Sequence, residues 1–394
     1  MSDIFLTGIG ELVTNTGPPI ADAVIAVESG LVTYAGPAVD APEQTGDRYD
    51  CGGRAVIPGF VDAHTHLVFA GDRSDEFARR LAGESYADIA AAGGGILATV
   101  ASTRNASEDE LFQLASSRVR RMLRTGTTTI EVKSGYGLDR AAEERQLAVA
   151  RRIGDELPVT VRTTFLGAHS VPPEYKDDRA GYLDLLVEEM LPALAPLADY
   201  CDVFVEDGVF DVDEAHRIFS RGAELGLRAR VHAEQLGHSG GARLAAEIGA
   251  VSADHLDHAT EDDARALSAA GVTVVLVPGA SYTLRSPQAP GPMLAASGCT
   301  IAVATDCNPG TSFFESMAPI LSLAVVQMGL TVDQAITAAT LGGARSLGFD
   351  DRGFLAPGAV ADLVVLDAPR AAHLVYRPGA DLVLETFKEG VSVA

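Results

Sequence analysis

The spacing of apolar and polar positions changes character twice along the chain. From the start to about residue 57, short apolar or alternating runs (Leu12-Val13, Val24 to Val27, Leu31 to Pro37) are separated by Gly and Pro, which reads as strands joined by tight turns. The C-terminal stretch has the same character, with Gly353 to Gly358 leading into Ala361 to Asp367. Between the two, β-like runs alternate with helical stretches, as repeated βα units do. The runs are Ala55 to Val61, Thr127 to Val132, Val161 to Leu166, Asp202 to Val205, Arg228 to Val231, Val251 to Asp254, Thr273 to Val277 and Ile301 to Ala304. This spacing predicts an α/β chain built on a closed (β/α)₈ barrel, and no G-x-G-x-x-G follows the first run as it would in a dinucleotide-binding sheet. The expected division is 1–57 for the N-terminal part of a small β-sandwich, 58–345 for the barrel and 346–394 for the C-terminal part of the sandwich.

One helix is signalled in detail. Ser107 with Glu110 three residues on predicts a capping box, Leu111, Leu114, Ala115, Val119, Met122 and Leu123 form an apolar stripe expected in the core, and Gly126 ends the helix. Gly93-Gly94-Gly95 reads equally as a hinge or as a loop covering a substrate.

Composition narrows the function. With 47% hydrophobic residues and 40 glycines the chain is that of a folded α/β enzyme, not a disordered one. Thirty basic against fifty-four acidic residues give a net charge of -24, which serves solubility and turns away nucleic acid and anionic membranes. An anionic substrate would need a local arginine to overcome that field. Cys51, Cys201, Cys299 and Cys307 show no C-x-x-C spacing and no dense framework, which points away from a disulfide scaffold or zinc finger, and a reducing cytoplasm is expected. Met1 to Leu6 carry no basic segment ahead of a long apolar one, and no apolar run approaches the roughly 18 residues of a membrane span, so a soluble, unexported protein is expected.

A (β/α)₈ barrel keeps its active site at the carboxyl ends of its strands. There the chain has Asp62-Ala63-His64-Thr65-His66 after the first run, His232 after the fifth, His255 after the sixth and Asp306 after the eighth. Alternate residues of a strand share a face, so His64 and His66 can chelate one cation. Imidazole nitrogens with a carboxylate suit zinc or iron, whereas Mg²⁺ and Ca²⁺ prefer all-oxygen sites. His216 and His373 read as solvated surface residues, and His238 and His258 as residues behind the ligands or in loops in preference to ligands themselves. Lys133 reads either as functional or as the ion-pair partner of Glu131 or Asp139.

The arrangement resembles the amidohydrolase superfamily over nearly the whole chain. Many of its members carry a metal-bridging Lys at the end of strand four. Here Glu206-Asp207 stands there, so a single metal is expected, with Glu206 as a conceivable bridge. A closer resemblance, to the imidazolonepropionase family, rests on Pro58 to Arg73, Glu131 to Leu138, Thr164 to His169 and Ala304 to Thr311.

That resemblance implies His64, His66, His232 and Asp306 as ligands of one divalent transition metal per chain, Zn²⁺ or iron (Fe²⁺/Fe³⁺). It implies Arg73, Tyr136, His169, Asn308, Gly310 and Thr311 as substrate contacts, with Arg73 offering a bidentate fork to a carboxylate. His255 and Glu234-Gln235 would lie beside the reacting carbonyl. Gln235, in both a substrate-binding and a catalytic role, falls where some relatives have a carboxylate. The implied reaction is hydrolytic ring opening of 4-imidazolone-5-propanoate to N-formimidoyl-L-glutamate in histidine degradation, with Asp306 as proton shuttle and a homodimer as the assembly. The alternatives are a deaminase or cyclic amidohydrolase acting on guanine or a hydantoin, and a non-catalytic scaffold. A purine would require aromatic stacking surfaces, whereas the Arg73 set suits a small anionic ring. The intact histidines and Asp306 argue against the scaffold.

Overall fold

In the computed structural model, which describes residues 3–44, 46–84, 88 and 93–393, Gly59 divides the first β-like run between two sheets. Met1 and Ser2 of the N-terminal run lie outside those residues. A side chain at Gly59 would place its Cβ 2.4 Å from Thr128 Oγ1, so the chain passes closely over the next barrel strand here. What reads as one strand, Ala55 to Val61, is therefore two. Residues up to Pro58 belong to the sheet of the termini, and the barrel begins at Phe60.

The terminal unit is a seven-stranded, mostly antiparallel sheet. It contains β1 (Ile4–Leu12), β2 (Ile20–Glu28), β3 (Leu31–Pro37), β4 (Asp47–Pro58) and three strands from the other end of the chain. It curls far enough for Leu31 to bridge Val360, and buries a core of its own that includes Leu6, Ile25, Val56, Leu363 and Phe387.

The second sheet holds eight parallel strands in sequence order. They are β5 (Phe60–Asp62), β6 (Thr127–Lys133), β7 (Thr160–Ala168), β8 (Tyr200–Val205), β9 (Arg228–Ala233), β10 (Ser252–His255), β11 (Thr273–Leu276) and β12 (Ile301–Val303). After it come β13 (Leu363–Leu366), β14 (Val383–Lys388) and β15 (Val391–Ser392), which complete the terminal sheet.

The barrel closes just beyond the ends of β5 and β12. Thr65 bridges Cys307, His66 N donates to Cys307 O at 3.1 Å, and Asp306 N donates to His64 O at 2.9 Å. The Asp62 carboxylate accepts from Thr305 N at 2.9 Å and Thr305 Oγ1 at 2.6 Å. Burial pushes its carboxyl up to about 7. The segments that close the barrel are thus the segments that carry His64, His66 and Asp306.

The helix Glu108–Arg124 begins with the expected capping box, Glu110 N donating to Ser107 Oγ and Ser107 N to the Glu110 carboxylate. Leu111, Ala115, Val119, Met122 and Leu123 are buried, but Leu114 is 41% exposed. It lies off the stripe those residues define, so the expectation that it belongs to the core is corrected. The four cysteines are free. Among the described residues no helix is long and apolar enough to cross a membrane.

Candidate metal centre and substrate pocket

His64, His66 and Asp306 bring one donor atom each within 4.8 Å of the others, and His64, His232 and His255 do the same. His64 Nε2 lies 3.2 Å from His66 Nε2, and both nitrogens are 3.5 Å from Asp306 Oδ1. Such like-facing acceptors, buried side by side, are costly unless a cation lies between them. His232 Nε2 is buried with no hydrogen-bond partner among the described residues. Burial holds the imidazoles of His64, His66 and His255 well below their ordinary pKa, so they are neutral and keep a lone pair for a ligand. The same burial pushes Asp306 well above the usual carboxylate range, a penalty that a bound cation removes. Asp306 and His255 both sit at positive φ, +50° and +76°, which turns their side chains into the barrel mouth.

Beneath these donors lies a buried ionic network. Lys133 Nζ is 2.9 Å from Glu131, 2.8 Å from Asp202 and 3.5 Å from Asp254, and Arg230 is 3.3 Å from Asp254. His64 Nδ1 meets Asp254 Oδ2 at 2.7 Å, and His232 Nδ1 lies 3.0 Å from Asp202 Oδ2. With His64 Nδ1 donating to Asp254, its Nε2 faces the cluster as an acceptor. Three carboxylates against two cations leave one excess negative charge, and Asp306 adds another. A divalent cation neutralises both, so the donor set and its charge fit such an ion. Lys133 is thereby an ion-pair partner of Glu131, as one reading had it, and not of Asp139, which pairs with Arg104 at 3.0 Å.

The cluster forms the floor of a cavity of about 420 Å³. Its walls include Arg73, Tyr136, His169, Gln235, Asn308 and Thr311. His169 Nδ1 is 3.0 Å from Gly135 O, and burial, reinforced by His232, lowers its pKa to about 3. Gly135, at φ +109°, has no room for a side chain, since a Cβ would fall 2.9 Å from His169 Nδ1. The loop around Tyr136 hangs on Glu143, whose carboxylate accepts from the backbone N of Gly135 at 2.9 Å, Gly137 at 2.7 Å and Leu138 at 2.8 Å.

Three expected contacts have other duties. The fork of Arg73 is already closed on Glu76, through Nε at 3.0 Å and a second bond from Nη2. Asn308 spends its amide on its own loop, donating to Asp306 O at 2.7 Å and accepting from the N atoms of Gly310 and Thr311, each at 2.8 Å. Glu234 does not join the pocket, because its carboxylate accepts from the backbone of Ser239, Gly240 and Ala242. Glu206 binds the backbone N of Gln235 at 3.0 Å and of Leu236 at 2.8 Å, so one of its oxygens positions the Gln235 loop.

Sequence reasoning missed Asp202, Arg230, Asp254, Glu143 and Arg80. The signal for the first three was charge inside the runs that read as barrel strands, since charged side chains are seldom buried unpaired. His216 is exposed, His373 is partly so, His258 lies in a loop, and His238 pairs with Asp263 at 2.9 Å.

Residues 206–393 match the model of the amidohydrolase family. Imidazolonepropionase of Salinispora tropica is 47% identical, over 99% of both chains. The imidazolonepropionases of Streptomyces coelicolor and Symbiobacterium thermophilum are 46% and 45% identical, covering 99% and 98% of this chain and 99% and 96% of theirs. In fold the chain is similar to an adenosine deaminase from Xanthomonas campestris with bound zinc (TM-score 0.72, 21% identity, 99% and 92% of the two chains). It is also similar to a 5-methylcytosine deaminase from Klebsiella pneumoniae (TM-score 0.74, 17% identity, 100% and 97%). A histidine and aspartate cluster at the mouth of this barrel defines a metal-dependent hydrolase of the amidohydrolase class. Within that class, full-length identity of this size places the chain in the imidazolonepropionase family.

Proposed function

We propose that the protein opens the ring of 4-imidazolone-5-propanoate by hydrolysis, giving N-formimidoyl-L-glutamate. The observation that carries this reading is one small cavity with metal donors on its floor and a guanidinium in its wall. A ring amide and a carboxylate joined by a short chain need those two features at that scale.

His64, His66, His232 and Asp306 would hold one zinc or iron ion. When bound, such an ion supplies Lewis acidity, lowering the pKa of water toward about 7 and polarising a carbonyl. Asp306 takes the proton of the attacking water and returns it to the departing ring nitrogen. His255, neutral and buried, hydrogen-bonds the carbonyl oxygen as negative charge develops there. Tyr136, His169 and the Gln235 amide orient the ring, and Gln235, unlike a carboxylate, cannot accept the water's proton, so that task rests on Asp306. A homodimer in the cytoplasm completes the reading, with light scattering as the check on assembly.

The test is to mix purified protein with freshly generated imidazolone propionate, follow loss of the ring chromophore and measure metal in the same sample. Turnover with about one zinc or iron per chain is expected. A metal-loaded protein that leaves the chromophore unchanged overturns the reading.

A further inference from the structure

Arg73 precedes helix α1 (Ser74–Leu81), and the helix brings Arg80, which lines the pocket with Arg73, one turn beyond Glu76. Glu76 closes on Nε and Nη2 of Arg73, and also accepts from Gly95 N at 2.8 Å. Glu76 thus takes the Nε–Nη2 edge of Arg73 and leaves Nη1 with the outer N–H of Nη2, and Nη1 presses against Gly310, where an added Cβ would fall 2.2 Å away. Arg80 reaches the same glycine, its Nη1 3.5 Å from Gly310 O. Its Nε and Nη2 are buried and have no hydrogen-bond partner among the described residues.

Nε and Nη2 are one edge of a guanidinium, the edge that grips a carboxylate with two parallel bonds. An orphaned edge of this kind costs stability unless something occupies it. Its neighbour Arg79 has spent the same edge on Glu84, in the more exposed surroundings outside the pocket. Arg73, Glu76 and Arg80 together carry one net positive charge, in a chain whose net charge is -24.

We propose that Arg80 is the principal carboxylate-binding residue of this pocket, with Arg73 held by Glu76 as a fixed second donor through Nη1. This deepens the function proposed above and rests on it for the identity of the ligand. The recognised group is a carboxylate on a short arm from a five-membered ring.

The experiment measures binding to the purified, metal-containing protein by calorimetry, using imidazole-4-propionate and its uncharged amide as probes. Wild type is expected to prefer the acid by tenfold or more, since charge-assisted bonds are the strong ones. Arg80→Met should remove most of the preference while leaving affinity for the amide within about twofold, and Arg80→Gln serves in the same way should the first variant fold poorly. A wild type without preference, or variants that keep it, would overturn the proposal. So would equal weakening of acid and amide, which marks a structural residue. Turnover of imidazolone propionate by the same wild-type sample is scored separately, so failure of the reaction and failure of the carboxylate site are told apart.

Discussion

Lys133→Met tests whether the network under the metal donors is held by charge balance. The substitution keeps most of the side-chain length and removes the one ammonium shared by Glu131, Asp202 and Asp254, all fully buried. Breaking a buried ion pair from one side costs about 3 to 5 kcal/mol, because the partner charge stays behind. Unfolding entropy scales with chain length, at about 0.8 kcal/mol/K for a chain of this size, so the thermal midpoint should fall by about 4 to 6 °C. Two dependences separate this from lost packing. With Lys133 gone, one of the three carboxylates is driven to take a proton, so the deficit should shrink as pH is lowered from 8 to 5.5. A bound divalent ion offsets the same excess charge, so the deficit should be larger in chelated than in metal-loaded protein. Circular dichroism melts of both forms at both pH values make the measurement. A chelated variant within about 1 °C of wild type at pH 8 would refute the argument.

Asp306→Asn should reduce turnover at least a hundredfold and leave the melting curve of the folded protein recognisable, because it removes the proton acceptor but little volume. Gly310→Ala puts a methyl group 2.2 Å from Arg73 Nη1, and should raise KM for the anionic substrate roughly tenfold or more, measured by steady-state kinetics. The pKa of His238 is raised, first by its bond to Asp263 and then by Glu234. Stability from that pair is fully present below about pH 6.5 and is lost as pH rises through the raised value. The melting-point gap between wild type and His238→Gln should therefore be wider at pH 6 than at pH 9, with an NMR titration of the imidazole giving the midpoint.

The barrel and its donors were legible because both depend on period. Eight β-like runs at βα spacing leave few other folds, and H-x-H at a strand end puts two imidazoles on one face whatever the rest of the chain does. The break at Gly59 was not legible, since Ala55 to Pro58 and Phe60 to Asp62 are equally apolar, and only the close pass over Thr128 separates them. Asn308 and Glu234 have the chemistry of ligand contacts, yet both are engaged by the backbone of their own loops, a choice made by loop geometry and not by residue type.

Arg73 and Arg80 show the same limit in the other direction. Arg79 and Arg80 are consecutive and chemically alike, and nothing in their order says that one turns to Glu84 and the other to the cavity. The helix decides it, because four residues bring Arg80 back over Glu76 while Arg79 points about 100° away. An acidic surface repels an anionic substrate, so the attraction must be local and poorly screened. Glu76 satisfies that condition by neutralising one guanidinium and fixing its orientation, so that two arginines can stand within a few ångströms of Gly310 at the net cost of a single buried positive charge.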